Sequence, residues 1–279
     1  MKNKTGTWVI RFFLILWAVI VVAPFVFLLM TSLKTNSEFF ENIWGLPKNI
    51  AIAAPENFKA AWTEADMGHG MVNSFMISAI ALVASLVLSS CVSYVIARRH
   101  IKLGNTLSIV FLIGLLVPEM LGLTPLFIIA KYLGLYNTRA ILVFIYTAWQ
   151  MPFDVYLMTS FMETLPHEME EAAYVDGATP WQSFLKIIVP LVKPALITAG
   201  IFSFLDYWSD YMYGLMFVMD GELKPLAMNI LKFKTGNGVR VEWGITSAAC
   251  VIFILPVLII YVIFQKRIVS GLTAGSVKG

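Results

Sequence analysis

The sequence predicts an all-α polytopic membrane protein with six transmembrane helices, and three observations lead there. The first is composition. Of 279 residues, 59% are hydrophobic and 13% are charged, with a mean hydropathy of +0.79. A soluble domain is about 45–50% apolar and about 25% charged. Too few polar residues remain to coat a soluble core, which excludes a soluble enzyme, a nucleic-acid binder and a disordered chain as leading readings. The second is length: six apolar runs, near 12–33, 72–97, 106–130, 140–160, 194–216 and 246–265, each reach the ~20 residues a helix needs to cross a ~30 Å hydrocarbon core. The third is the placement of Lys and Arg around those runs.

The first run follows Lys2, Lys4 and Arg11. That pattern resembles a signal peptide, but the apolar stretch is too long and no small-residue cleavage site follows. It reads as an uncleaved signal anchor, so all six helices are kept. An even number of spans puts both termini on one side. That side carries Lys2, Lys4, Arg11, the short stretch Arg98–Arg99–His100–Ile101–Lys102, Lys186, Lys193, Lys266, Arg267 and Lys278. The opposite side holds most of its basic residues in two longer loops, 34–71 and 217–245, where the rule is weaker. The short loops decide: both termini are expected in the cytoplasm.

The outer loops are too small for independent domains. The third run contains Pro118 and Pro125, which predict a broken or kinked span, tolerated where backbone lines a cavity. No Gly-x-x-x-x-Gly-Lys-Ser/Thr occurs, so the chain is not expected to bind and hydrolyse ATP itself. The net charge of +3 is too weak to imply an anionic partner. Cys91 and Cys250 lie inside apolar runs and read as buried small hydrophobes, not as a disulfide or a metal site. The expected layout is a cytoplasmic N-terminus (1–11), a transmembrane domain (12–267) that includes a long cytoplasmic loop (161–193), and a cytoplasmic tail (268–279).

That loop reads as two short helices. Pro166 suits a first helical position, and Glu168, Glu170 and Glu171 follow in the first turns, where acids complement the helix dipole. Gly177 is placed to end this helix in the left-handed conformation. Thr179 then caps a second helix, with Pro180 next and Gln182 at the capping-box position. Ala172, Ala173 and Ala178 keep the surface low, so another protein could approach closely. Five acids gather here, Glu163, Glu168, Glu170, Glu171 and Asp176. By spacing alone, a well-capped surface connection and a docking element weigh about equally.

Acids inside spans are costly and usually functional. There are four: Glu119, Asp154, Asp206 and Asp210. At ~1.5 Å per helical residue, Asp206 lies ~18 Å and Glu119 ~20 Å from the cytoplasmic end of its span, so the two share a level. Asp206 and Asp210 are expected on one helix face, four residues apart. Tyr207, Trp208, Tyr211 and Tyr213 surround them. Carboxylates accept hydrogen bonds from vicinal hydroxyls, and aromatic rings stack on sugar rings. A neutral polyhydroxylated substrate fits this composition better than an anion. The plainer readings are that Tyr211 and Tyr213 belong to an interfacial belt and that Asp154 steadies its span against a neighbouring chain. The histidines, His69, His100 and His167, fall in loops on two sides, so no His-based metal site or catalytic triad assembles.

Glu171-Ala172-Ala173, Asp176-Gly177-Ala178, Phe184, Ile187 and Pro190 resemble the EAA loop of ABC-importer permeases. Further matches run nearly end to end: Asn73-Ser74, Tyr94-Val95-Ile96-Ala97-Arg98, Pro118, Thr124-Pro125-Leu126-Phe127, Leu133-Gly134-Leu135-Tyr136-Asn137-Thr138 and the closing Gly271–Gly279. The ordered set is similar to carbohydrate-importer permeases of the maltose-transporter type, specifically the shorter, six-span partner. Where that family often has a Trp-Asn pair, this chain has Trp208-Ser209.

The resemblance implies a type I ABC-importer permease fold in a bacterial or archaeal inner membrane, with no catalytic residue and no metal or cofactor in this chain. Glu171, Ala172, Ala173, Asp176, Gly177 and Ala178 would dock on an ATPase subunit, and the tail residues Gly275, Lys278 and Gly279 would reach it too. ATP and Mg would be bound by two partner ATPase subunits. A second, non-identical permease and an external solute-binding protein would complete the importer, which would carry a sugar, an oligosaccharide or glycoside, past Glu119, Asp206, Tyr207, Trp208 and Asp210. The competing reading is an ion-coupled secondary transporter. The absence of a visible inverted repeat speaks against it.

Overall fold

The computed structural model describes residues 4–98, 103–230 and 241–274, with side chains from residue 7 to residue 265 of those ranges. Among the described residues every regular element is helical. In chain order these are α1 (Lys4–Ser32), α2 (Asn36–Glu41), α3 (Ile50–Thr63), α4 (Met67–Arg98), α5 (Gly104–Leu116), α6 (Glu119–Tyr132), α7 (Arg139–Met162), α8 (Glu168–Val175), α9 (Pro180–Ser183), α10 (Val189–Leu191), α11 (Lys193–Ser209), α12 (Met212–Phe217), α13 (Leu226–Asn229) and α14 (Trp243–Ala274). A π-helical turn, Phe184–Ile188, joins α9 to α10, and a 3₁₀ turn covers Gly221–Leu223.

Four of the described helices are long and apolar enough to cross a membrane: Thr7–Ser32, Met67–Arg98, Arg139–Met162 and Trp243–Gln265. Two bent pairs raise the number to six if each is one span: Gly104–Leu116 with Glu119–Tyr132 at 102°, and Pro180–Leu191 with Lys193–Ser209 at 73°. The first break falls at Val117–Pro118, both extended. Proline has no N–H to continue α5, and it forces the preceding residue out of the helical region. Pro125 stays inside α6.

The fifth run departs from the sequence expectation. It is not one helix: α11 ends at Ser209, and Asp210 is extended (φ −63°, ψ 127°). The cause is local competition. The Asp210 carboxylate accepts the backbone N–H of Tyr213 (3.2 Å) and Gly214 (3.1 Å). It therefore caps the start of α12 instead of continuing α11. Asp206 and Asp210 consequently do not share one helix face.

The chain divides into two compact units, Met1–His69 with Met228–Pro256, and Gly70–Ala227 with Val257–Gly279. In the first unit, α1 turns its apolar side chains outward, Trp17 and Phe12 among them. Thr35 and Glu38 form a capping box at the start of α2. Lys34 is buried, its Nζ donating to Asn42 O (3.1 Å) and Ile43 O (2.9 Å). Phe39 stacks on Trp243 at 5.3 Å, and Asn36 Oδ1 accepts Trp243 N.

In the second unit, α7 packs on α5 and α11. α4 buries Ser78, Ala81, Ser85, Ser89 and Ser93; small residues at this spacing let membrane helices approach closely. Ser93 donates to Val155 O (3.2 Å) and Ser90 to Met158 Sδ (3.3 Å), both on α7. One apolar cluster gathers Ile77, Leu142, Tyr146, Tyr207 and Phe217; another gathers Tyr94, Met158, Phe184, Ile188 and Val192.

Candidate functional site

The loop 163–191 is built from local rules. α8 ends in a Schellman motif: Ala178 N donates to Ala173 O (2.8 Å), and Gly177 N to Tyr174 O (3.0 Å). Gly177 has φ +81°, as the elbow requires, and only glycine adopts that region freely. Thr179 Oγ1 accepts Gln182 N while Gln182 Oε1 accepts Thr179 N, a complete capping box at α9. The helix begins at Glu168 with His167 as its cap residue, so Pro166 lies just outside it.

Glu171, Ala172, Asp176 and Gly177 lie exposed on this loop, and Ala173 and Ala178 are half-buried. Of the five acids gathered in this loop, Glu170 turns inward. It is buried at 4% exposure, while Glu171, ~100° further round the helix, is exposed. Arg98, the last residue of α4, donates from Nε to Glu170 Oε2. Its Nη1 and Nη2 donate to Leu165 O (2.8 Å) and Pro166 O (3.0 Å). Tyr94 OH donates to Glu170 Oε1 (2.8 Å), and Ser183 Oγ lies 3.4 Å from the same oxygen. Nothing in the residue order pairs Arg98 with Glu170, 72 residues apart. The acid doublet Glu170–Glu171 and the arginine closing an apolar run were the signals available.

Within the spans, a cavity of about 560 Å³ is lined by Glu119, Met120, Tyr146, Trp149, Asp206, Tyr207, Ser209, Asp210, Tyr211, Met212 and Tyr213. Glu119 opens α6, directly after the break at Pro118. Asp210 accepts from Tyr146 OH (2.8 Å) in addition to its two backbone bonds. Tyr146 stacks on Tyr207, with centroids 5.1 Å apart and planes 6° apart. Asp206 is exposed and also borders a smaller cavity of about 200 Å³ with Trp149 and Gln150.

So of the five expected pathway residues the fold brings four together, Glu119, Asp206, Tyr207 and Asp210. Trp208 does not border the cavity; it is buried and stacks on Phe204 at 5.5 Å. Tyr211 and Tyr213 line the cavity. Asp154 is fully buried and accepts from Ser203 Oγ of α11 (3.1 Å), so a partner within the chain satisfies it. Tyr146 and Trp149 were not anticipated, since nothing in the α7 sequence marks which side faces the breaks of α6 and α11. Among the described residues, no group of three His, Cys, Asp or Glu side chains could hold a metal ion. The expected tail contacts Gly275, Lys278 and Gly279 lie outside the described residues, as does the stretch from Arg99 to Lys102.

Comparison with known proteins agrees with this architecture. The chain is 32% identical to the diacetylchitobiose uptake system permease protein NgcG of Streptomyces coelicolor, over 94% of this chain and 86% of that one. It is 32% identical to the melibiose/raffinose/stachyose import permease protein MelC of Bacillus subtilis, over 92% and 91% of the two chains. Its fold superimposes on a crystal structure of a bacterial ABC transporter involved in import of the acidic polysaccharide alginate, with a TM-score of 0.83 over 95% of this chain and 96% of that one, at 21% identity. The likeness to carbohydrate-importer permeases of the maltose-transporter type is borne out by these relatives. The family model described as binding-protein-dependent transport system inner membrane component matches residues 86–273, and the chain belongs to that family.

Proposed function

We propose that this chain is one transmembrane subunit of an ABC importer that takes up a sugar, an oligosaccharide or glycoside, by ATP-driven alternating access. A second, non-identical permease completes the pathway, an external solute-binding protein delivers the sugar, and two ATPase subunits bind ATP and Mg. Both termini and the loop 161–193 face the cytoplasm. ATP closes the ATPase pair and draws the loops inward; the pathway opens outward and receives sugar, and hydrolysis resets it.

The observation that carries this reading is the loop itself. Its helix–elbow–helix is rigid, capped at Thr179 and Gly177 and anchored inward through Glu170, while Glu171, Ala172, Asp176 and Gly177 stand free to meet a partner. The cavity supports the substrate class: carboxylates and tyrosines suit hydroxyl-rich rings, and no Lys or Arg lines it.

The test is uptake in proteoliposomes. The chain reconstituted with its partner permease, ATPase and binding protein should import sugar only when ATP is hydrolysed. Ion-driven uptake by this chain alone would overturn the proposal in favour of a secondary transporter.

A further inference from the structure

Helix α4 differs from the other long spans. The helices Thr7–Ser32, Arg139–Met162 and Trp243–Gln265 each contain a proline, at Pro24, Pro152 and Pro256. Met67–Arg98 contains none, and from Met71 to Arg98 it has no glycine either. Helices kink mostly at proline, at glycine or serine pairs or at π-bulges; α4 carries the pair Ser89–Ser90 yet runs unbroken from Met67 to Arg98. The stretch from Asn73 to Arg98 is one continuous α-helix of about 38 Å.

Both ends of this stretch are pinned by side chains. At one end, Asn73 Nδ2 donates to Glu222 O (2.8 Å) and Lys224 O (3.1 Å), Arg139 Nε donates to Asn73 Oδ1 (2.9 Å), and Ser74 Oγ accepts Leu226 N (2.8 Å). At the other end, Arg98 grips Glu170 of α8 and the carbonyls of Leu165 and Pro166, and Tyr94 holds Glu170 and Pro180 O. The Arg98–Glu170 pair is almost fully buried. As a source of stability alone such a pair is poor, because apolar residues of similar volume often do as well. As a device for holding two elements in one orientation it is good, since the guanidinium fork is planar and directional.

We propose that Arg98 and Glu170 are positioning residues that lock the loop to α4, making α4 a rod that transmits loop displacement to the 222–226 segment at its far end, and the reverse. The inference rests on the loop being the ATPase-docking element.

The experiment uses the reconstituted transporter and reads three quantities: ATPase subunits retained on purification, ATP hydrolysis with and without the solute-binding protein, and sugar uptake. The two substitutions are Glu170→Gln, at the loop, and Asn73→Ala, at the far end. Each should retain the ATPase subunits yet lose binding-protein stimulation of hydrolysis by about tenfold, the scale of a typical coupling between sites. Substitutions this far apart ordinarily have additive effects. On one rod they should not: the double variant should be no worse than the more impaired single. Multiplicative losses in the double variant, or full stimulation in Glu170→Gln, would overturn the rod. So would loss of the ATPase subunits from Glu170→Gln, which would make the pair a docking device only. A wild-type complex without ATP-dependent uptake would instead overturn the underlying reading of the loop.

Discussion

The loop after α7 and the cavity between α6, α7 and α11 are both organised by carboxylates, but they are assembled in opposite ways. In the loop, the ordering groups are neighbours in sequence: Gly177 closes α8 onto Ala173 and Tyr174, and Thr179 and Gln182 cap α9. Long-range contacts from Arg98 and Tyr94 of α4 then fasten the finished piece. In the cavity the groups come from distant parts of the chain, with the Asp210 cap on Tyr213 and Gly214 as the local element. Glu119, Tyr146 and Asp206 come from three helices, and Asp210 reaches the site because it breaks the fifth run. A local motif survives the loss of one member better than a long-range anchor does, whereas a cavity carboxylate can be removed at no cost to the fold if it holds nothing else.

Four substitutions sharpen that contrast. Arg98→Ala should have the largest effect. It leaves Glu170 buried without its guanidinium, and breaking a buried pair costs about 3–5 kcal/mol. The readout is proteolysis of the native protein between Leu165 and Gly177, which should accelerate strongly. An unchanged cleavage rate would show that the caps alone hold the loop.

Gly177→Val comes next. A β-branched side chain at φ +81° costs on the order of 1–2 kcal/mol, and no neighbour lies within 4 Å of the new Cβ, so the effect is backbone strain alone. Uptake should fall about tenfold or more while ATP hydrolysis continues and the membrane-inserted amount is unchanged. Uptake at the wild-type rate would remove the elbow from coupling.

Asp210→Ala should be intermediate. It removes the cap on Tyr213 and Gly214 and the acceptor of Tyr146; losing a cap costs about 1 kcal/mol. A small drop in thermal stability should accompany weaker transport. Asp206→Ala should be the smallest structural change, within about 0.5 kcal/mol, because the side chain is exposed to the cavity. Transport should still weaken. If Asp206→Ala destabilises the protein as much as Asp210→Ala, the two carboxylates do not divide into a cavity group and a cap.

Much of the loop was legible because its signals act within one or two turns. The left-handed Gly177 and the Thr179–Gln182 box follow from residue type and spacing alone. The break at Pro118 was legible for the same reason, proline acting on its own and the preceding residue. Trp208 and Tyr146 were not. Trp208 has the more aromatic sequence context, yet it stacks on Phe204 away from the cavity while Tyr146 lines it. Asp154 looked like a pathway acid or an intersubunit contact until Ser203, 49 residues away in sequence, proved to satisfy it.

Residue order alone carries the membrane class, the apolar runs, the proline break and the caps of the loop. Hydropathy and backbone preference operate over a window of a few turns, and those windows are read directly from residue order. Packing selected which member of the Glu170–Glu171 doublet turns inward and which acids of the spans join Tyr146 at the cavity wall. These outcomes depend on desolvation against segments tens of residues away. A buried carboxylate is tolerated only where a guanidinium, a hydroxyl or a free backbone N–H waits for it, and that meeting exists only once the helices have packed.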